Sequence, residues 1–179
     1  IVSLNENLKF EKRVAITPEI AKKYLSLGFE VFLSENYSEH LGIKDEEYSK
    51  LGVKIFQNEK ETITSADIVV QLGLLSEDKI SLLKDNQILI GILNPYSNKE
   101  KIDELVKKKI NVFSLELLPR ITRAQSMDVL SSQSNLAGYR AVIESVEEFD
   151  KAIPMMMTAA GTVPPARVLV IGAGVAGLQ

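Results

Sequence analysis

Apolar positions along the chain alternate between two periods. Residues 1–4 form a short apolar run that predicts a strand, followed by a polar loop over 5–12. Thr17-Pro18 then starts a helix, with a hydroxyl cap followed by proline at the first helical position. Ile20, Ala21, Tyr24, Leu25 and Leu27 follow at helical spacing, and Gly28 ends the helix. Residues 29–33 and 68–72 read as strands. Ser76 caps a helix carrying Ile80, Leu82 and Leu83, and residues 87–93 form a strongly apolar strand. Ile102, Leu105 and Val106 mark a further helix, and 110–115 a further strand.

Strands alternating with helices imply parallel pairing through right-handed crossovers. The unbroken apolar run Ile88-Leu89-Ile90 suggests a sheet covered on both faces. Residues 1–119 are therefore expected to form a doubly wound α/β domain. The texture changes after that. Residues 120–135 are rich in Ser, Gln, Arg and Asp, with few aliphatic side chains. Residues 136–152 look helical, with Ala137, Ala141, Val142 and Val146 on one face, and 158–165 reads as a loop. Residues 167–171 are an apolar strand running directly into Gly172-Ala173-Gly174-Val175-Ala176-Gly177. Residues 120–179 thus divide into an interdomain segment, a linker helix and the start of a Rossmann dinucleotide-binding domain. The chain opens on Ile1 and stops at Gln179 inside a motif, so both ends read as truncated.

Composition narrows the chemistry. The 179 residues carry 21 basic and 24 acidic side chains, for a net charge of −3, which does not favour nucleic acid as a partner. Lys107, Lys108 and Lys109, the densest basic run, read as the solvated end of a helix. The absence of cysteine rules out disulfides, thiolate metal ligands and a thiol nucleophile. No apolar run approaches the ~20 residues of a membrane helix, and no signal peptide is evident.

Gly172, Gly174 and Gly177 fit the pattern G-x-G-x-x-G after an expected strand. In that context the first glycine permits a tight turn, the second lets the backbone approach a pyrophosphate, and the third allows close helix–strand packing. Val175 and Ala176 complete the loop and start the helix whose N–H groups would face phosphate. The alternative is a glycine-rich turn without a ligand. Arg120, Arg123, Gln125, Asp128, Ser131, Ser132 and Gln133 crowd donors and acceptors into one stretch. They suffice for a carboxamide and a ribose, or serve as helix caps in a linker. Arg13 could grip a carboxylate or phosphate, though an ion pair with Glu11 or Glu19 is the plainer reading. His40, the single histidine, reads as a solvated loop residue. Met155-Met156-Met157 reads as packing against a helix or an interdomain seam, and no metal site is expected.

The stretch Pro119-Arg120-Ile121-Thr122-Arg123-Ala124-Gln125-Ser126-Met127-Asp128 continues through Leu130-Ser131-Ser132-Gln133 and Ala137-Gly138-Tyr139-Arg140-Ala141-Val142. Pro154-Met155-Met156-Met157-Thr158-Ala159-Ala160-Gly161-Thr162-Val163-Pro164-Pro165-Ala166 and the glycine loop follow. Together they resemble the NAD(H)-binding component of proton-translocating transhydrogenases. The opening Arg13-Val14-Ala15-Ile16-Thr17-Pro18 resembles a segment shared by transhydrogenases and alanine dehydrogenases.

The resemblance implies two α/β domains with NAD(H) held in the cleft between them. It places Arg120, Gln125, Asp128 and Ser131 at the nicotinamide end, beside the glycine loop of Gly172, Gly174 and Gly177. Gln125, Arg120 and Asp128 are the residues it implicates in the reaction. That reaction moves hydride from NADH to NADP+ on a separate NADP(H)-binding component, coupled to proton movement through a membrane component. The resemblance further implies a homodimer at the cytoplasmic face of the inner membrane. Direct hydride transfer needs orientation and exclusion of water rather than an acid or base, which suits a polar segment without His, Lys or Cys. An alanine dehydrogenase-like amino-acid oxidoreductase is the alternative enzyme. In those relatives a lysine after the middle strand and a histidine after the next one handle substrate. Here Gln71-Leu72-Gly73-Leu74 has no lysine and Leu93-Asn94-Pro95 no histidine, which also leaves the role of Arg13 open. A nucleotide-binding module without chemistry of its own is the third reading.

Overall fold

The computed structural model describes residues Ile1–Gln179, which divide into two compact units, Ile1–Leu118 and Pro119–Gln179. The first contains, in order, β1 (Val2–Ser3), α1 (Pro18–Ser26), β2 (Phe32–Ser34), α2 (Asp45–Leu51), β3 (Lys54–Phe56), α3 (Glu59–Ser65), β4 (Ile68–Val70), α4 (Glu77–Leu82), β5 (Ile88–Gly91), α5 (Lys99–Lys107) and β6 (Asn111–Ser114). All six strands are parallel, in the order β3-β2-β1-β4-β5-β6. This is the doubly wound α/β architecture expected from the sequence.

The two-residue period of the strands distributes side chains between two cores. Val31 and Leu33 enter one cluster with Ala21 of α1 and Tyr48 of α2, while Phe32 between them packs on the other. The second cluster joins Val2, Val69 and Leu89 to Ile63, Ile80 and Leu105 of α3, α4 and α5. α1 starts as read, with Thr17 Oγ1 accepting the Ile20 N–H at 3.4 Å. It ends before Gly28, whose φ of +88° a side chain would oppose.

Three elements fall where the apolar spacing gave none: α2, β3 and α3. α2 buries only Tyr48, and β3 is a three-residue edge strand that opens on an exposed lysine. The lysine run also differs from expectation. Lys108 is not simply solvated, because its ammonium donates to the carbonyls of Ser81 at 2.6 Å and Ile80 at 3.1 Å. It therefore satisfies acceptors left open at the end of α4.

Buried hydroxyls fix the loop before α1. Tyr37 Oη accepts the N–H groups of Ala15 (3.0 Å) and Ile16 (3.2 Å), which leaves its own proton for Ser3 Oγ at 2.7 Å. Tyr48 Oη donates to the Ile16 carbonyl at 2.9 Å. Burial pushes the Tyr37 hydroxyl up to about 12, despite those hydrogen bonds. Tyr37→Phe should lower the unfolding midpoint by about 5 °C, since it strands two buried N–H groups. Differential scanning calorimetry of the two proteins checks this. A midpoint within a degree of the parent would mean that water replaces the hydroxyl.

The second unit holds α6 (Val129–Glu147), the antiparallel pair β7 (Met156–Thr158) and β8 (Gly161–Val163), and the short α7 (Val175–Leu178). Its differences from the sequence reading are physical. The helix expected over 136–152 begins seven residues earlier, because Asp128 caps it, and ends at Glu147. Residues 158–165 are not wholly a loop, since 161–163 form β8. Residues 167–171 form no strand. A strand exists by pairing, and the second unit offers this segment no neighbour; Leu169 is 84% exposed and Ile171 92%. Met155, Met156 and Met157 do not pack inside a seam of this unit but stand exposed at the hairpin. No helix is long and apolar enough to cross a membrane.

Candidate functional site

The polar stretch expected to bind a ligand forms a turn of 3-10 helix, Thr122–Met127, leading into α6. The turn brings Arg120, Gln125 and Asp128 around one hollow of about 220 Å³, together with Ile121 and Thr122. Ile121 and Thr122 were not singled out in the sequence. The one available signal was their place between residues that were.

Ser131 contributes no wall to this hollow. Its N–H and its hydroxyl both go to the Asp128 carboxylate, at 3.0 and 2.6 Å. Asp128 is therefore the N-cap of α6 as well as a lining residue. The Ser131 hydroxyl and N–H hold the Asp128 carboxyl below its ordinary range, and the charge of Arg120 adds to this. Arg120 and Gln125 are exposed and present a guanidinium and a carboxamide to the opening.

The glycine loop meets α6 farther along. Gly172 turns the chain with a φ of +109°. Nothing lies within 4 Å of where a Gly174 Cβ would stand, so that backbone face is open to a ligand. A Cβ on Gly177 would collide with the Gly172 carbonyl, so the third glycine closes the turn. Val175 and Ala176 begin α7, and the Ala176 backbone rests on Gly138 of α6, again where a Cβ would collide. Asn135 Nδ2 donates to Gln179 Oε1 at 2.5 Å. Gly138 lies ten residues beyond Asp128, or about 15 Å along the helix axis at 1.5 Å per residue. One helix thus carries the polar hollow at its start and the glycine loop at its middle. The two are separate features on α6, with no single cavity lined by both.

An apolar groove of about 850 Å³ runs beside α6, walled by Val142, Val146, Phe149, Val168, Val170 and Ile171 among others. Ala137 and Ala141 also line it, so the helix face read from the sequence borders this groove. No group of three or more acidic or histidine side chains is placed to hold a metal ion.

In the first unit Arg13 pairs with Glu11, its Nη2 at 2.6 Å and its Nε at 2.8 Å, as the plainer reading had it. His40 is exposed and bonded to the Lys12 carbonyl at 2.7 Å, which makes Nε2 the protonated nitrogen. Both line a separate hollow of about 420 Å³ with Asn5, Glu6 and Glu39.

Comparison with known proteins agrees with this arrangement. The alanine dehydrogenase/PNT N-terminal domain family matches residues 3–137, and the corresponding C-terminal domain family matches 141–179. The first of the polypeptides that make up the NAD(P) transhydrogenase alpha subunit of Rhodospirillum rubrum is 49% identical over 174 residues, covering 94% of this chain and 45% of the relative. Alanine dehydrogenase 1 of Staphylococcus aureus is 30% identical over 133 residues, 74% of this chain and 34% of the relative. The solved transhydrogenase of Sinorhizobium meliloti superposes with a TM-score of 0.91 at 44% identity, over 99% of this chain and 54% of that one. The chain spans about half the length of the transhydrogenase relatives it matches. With a matching family over most of its length and transhydrogenase alpha subunits among its relatives at nearly half identity, the chain belongs to the alanine dehydrogenase/PNT family, on its transhydrogenase side.

Proposed function

We propose that this chain is the NAD(H)-binding part of a proton-translocating NAD(P) transhydrogenase, in which hydride passes from NADH to NADP+ held on a partner component. The observation that carries the reading is the glycine loop: a turn at Gly172, an open backbone face at Gly174, and Gly177 packed on the Gly172 carbonyl. That is the division of labour a pyrophosphate-binding loop requires.

The residues present fit the cofactor. Backbone of Gly172, Gly174, Val175, Ala176 and Gly177 would hold the pyrophosphate, and Arg120, Gln125 and Asp128 would hold the nicotinamide and its ribose. NADH supplies the hydride. The chain contributes orientation: Arg120 and Gln125 donate hydrogen bonds, Asp128 accepts them, and Ser131 fixes the Asp128 rotamer through two hydrogen bonds. No general base is needed, and none lines the hollow other than Asp128, whose carboxyl is held ionised. Proton coupling is assigned to a membrane component, and NADP(H) to its own component. We place the assembly at the cytoplasmic face of the inner membrane, with this part as a homodimer, on the strength of the resemblance.

The alanine dehydrogenase alternative is disfavoured by one feature beyond the missing lysine and histidine. Gln71, after β4, is 4% exposed, and both ends of its carboxamide are bonded to Leu4, so it offers nothing to a substrate.

The 179-residue chain is expected to bind NADH weakly, with a dissociation constant well above the low micromolar range. α7 is a single turn, which gives little helix dipole, and the segment leading to the loop is unpaired. Calorimetric titration of this chain, beside one extended to the length of its relatives, tests the reading. Tight binding by the short chain would show that the glycine loop is dispensable. Pyruvate- and ammonia-dependent oxidation of NADH by the extended chain would overturn the transhydrogenase assignment in favour of amino-acid oxidation.

A further inference from the structure

The strand order of the first unit reverses direction between β1 and β4. In open parallel sheets, ligands bind in the crevice outside the carboxyl ends of the strands that flank such a reversal. Here the crevice lies between Leu4-Asn5-Glu6 and Gln71-Leu72-Gly73, and the chain's own side chains fill it. Gln71 Oε1 accepts the Leu4 N–H at 3.1 Å while its Nε2 donates to the Leu4 carbonyl at 3.0 Å. The side-chain amide thereby continues the ladder where the main chains diverge. Just beyond, Glu6 Oε1 accepts the Leu72 N–H at 2.6 Å and the Gly73 N–H at 3.3 Å, and Oε2 lies 3.4 Å from the same Gly73 nitrogen.

A carboxylate over two successive backbone N–H groups is the way such loops hold a phosphate or carboxylate ligand. Gly73 makes room for it, since a Cβ there would stand 3.3 Å from Glu6 Oε2. We propose that Glu6 is an internal ligand: its carboxylate occupies the anion position at the switch point of the first unit's sheet. This sheet therefore holds its own side chain where a nucleotide-binding sheet of the same strand order would hold an exogenous anion. The nearby charges are consistent with occupation by one anion only, with Glu11 repelling and Arg13 attracting the carboxylate. Burial pushes the Glu6 carboxyl up, more than the N–H groups and Gln71 pull it down. The tether to the backbone is what keeps it there, because an attached group has no translational entropy to lose.

The test uses the full 179-residue chain and acetate, which supplies the methylene carbon and carboxylate that Glu6→Ala deletes. Glu6→Ala should lower the unfolding midpoint by on the order of 5 °C. Acetate should restore about half of that loss by binding the folded variant, while chloride at matched ionic strength restores none. Acetate should leave wild type and Glu6→Gln unmoved, since their crevice is filled. An undiminished midpoint in Glu6→Ala, or an equal response of wild type to acetate, would overturn the proposal. Should Glu6→Ala fail to fold, Glu6→Asp retracts the carboxylate by one methylene. Hydrogen exchange at the Leu72 and Gly73 amides should then quicken by about tenfold, and unchanged exchange at both would equally overturn it.

Discussion

Gly138→Ala, in a chain extended to the length of its relatives, should weaken NADH binding by about 10- to 100-fold. A methyl group at this position meets the Ala176 backbone, and backbone cannot step aside as the tip of a flexible side chain can. Overpacking of this kind costs about 1–3 kcal/mol, and the cost falls on the seating of α7 against α6. Since the loop from Gly172 to Gly177 leads into that turn, the displaced helix start carries its N–H groups away from the phosphates. Each 1.4 kcal/mol lost from binding is a factor of about ten. Isothermal calorimetry gives the affinity, and circular dichroism would show whether α6 survives the change. An unchanged affinity with intact α6 would mean that something other than this contact holds the glycine loop, and α6 would lose its role as the loop's support.

Gln125→Asn should act on the other end of the cofactor, slowing hydride transfer about a hundredfold while leaving the NADH dissociation constant within a few-fold. The substitution keeps the carboxamide and withdraws it by one methylene. In direct transfer between two rings, a displacement of about 1 Å is enough to cost that much rate. Binding suffers less, because Arg120, Asp128 and the glycine loop remain. Stopped-flow transfer to an NADP+ analogue with the partner component, beside equilibrium titration of NADH, separates the two effects. Collapse of affinity with unchanged turnover would reassign Gln125 from orientation to anchoring.

Much of this was legible in the sequence because it is written in backbone-determining residues. Thr17-Pro18 and Gly28 bracket α1 as their caps require, and the apolar runs around Val69, Leu89 and Val112 are strands of a sheet covered on both faces. α2 and β3 escaped because each is short and buries one large side chain, Tyr48 or Phe56, too few to establish a period. The polar stretch illustrates a different limit. Asp128 and Ser131 were noticed for what they could offer a ligand, and three residues apart they are equally a helix start. The sequence names the atoms and cannot say how many of them the fold will use for itself. Residues 167–171 have every strand preference, yet extended backbone becomes a strand only when a neighbour accepts its hydrogen bonds. For the same reason Glu6 drew no notice: it lies 66 residues from the N–H group it binds, and only the sheet brings them together.

The continuity of α6 bears on how this protein could be taken apart or recombined. The two family domains meet between residues 137 and 141, the middle of a 19-residue helix, whereas the compact units meet at Leu118 and Pro119. A gene fusion cut at the family border would split that helix, giving one module the Asp128 cap and the other the surface on which the glycine turn sits. Each half would be too short to stay helical in water without a partner. A graft joined just ahead of Pro119 inherits the whole helix, and with it a fixed spacing between nicotinamide and pyrophosphate recognition. Seen this way α6 is a ruler, and modules exchanged across it keep a functioning site only when its length travels undivided.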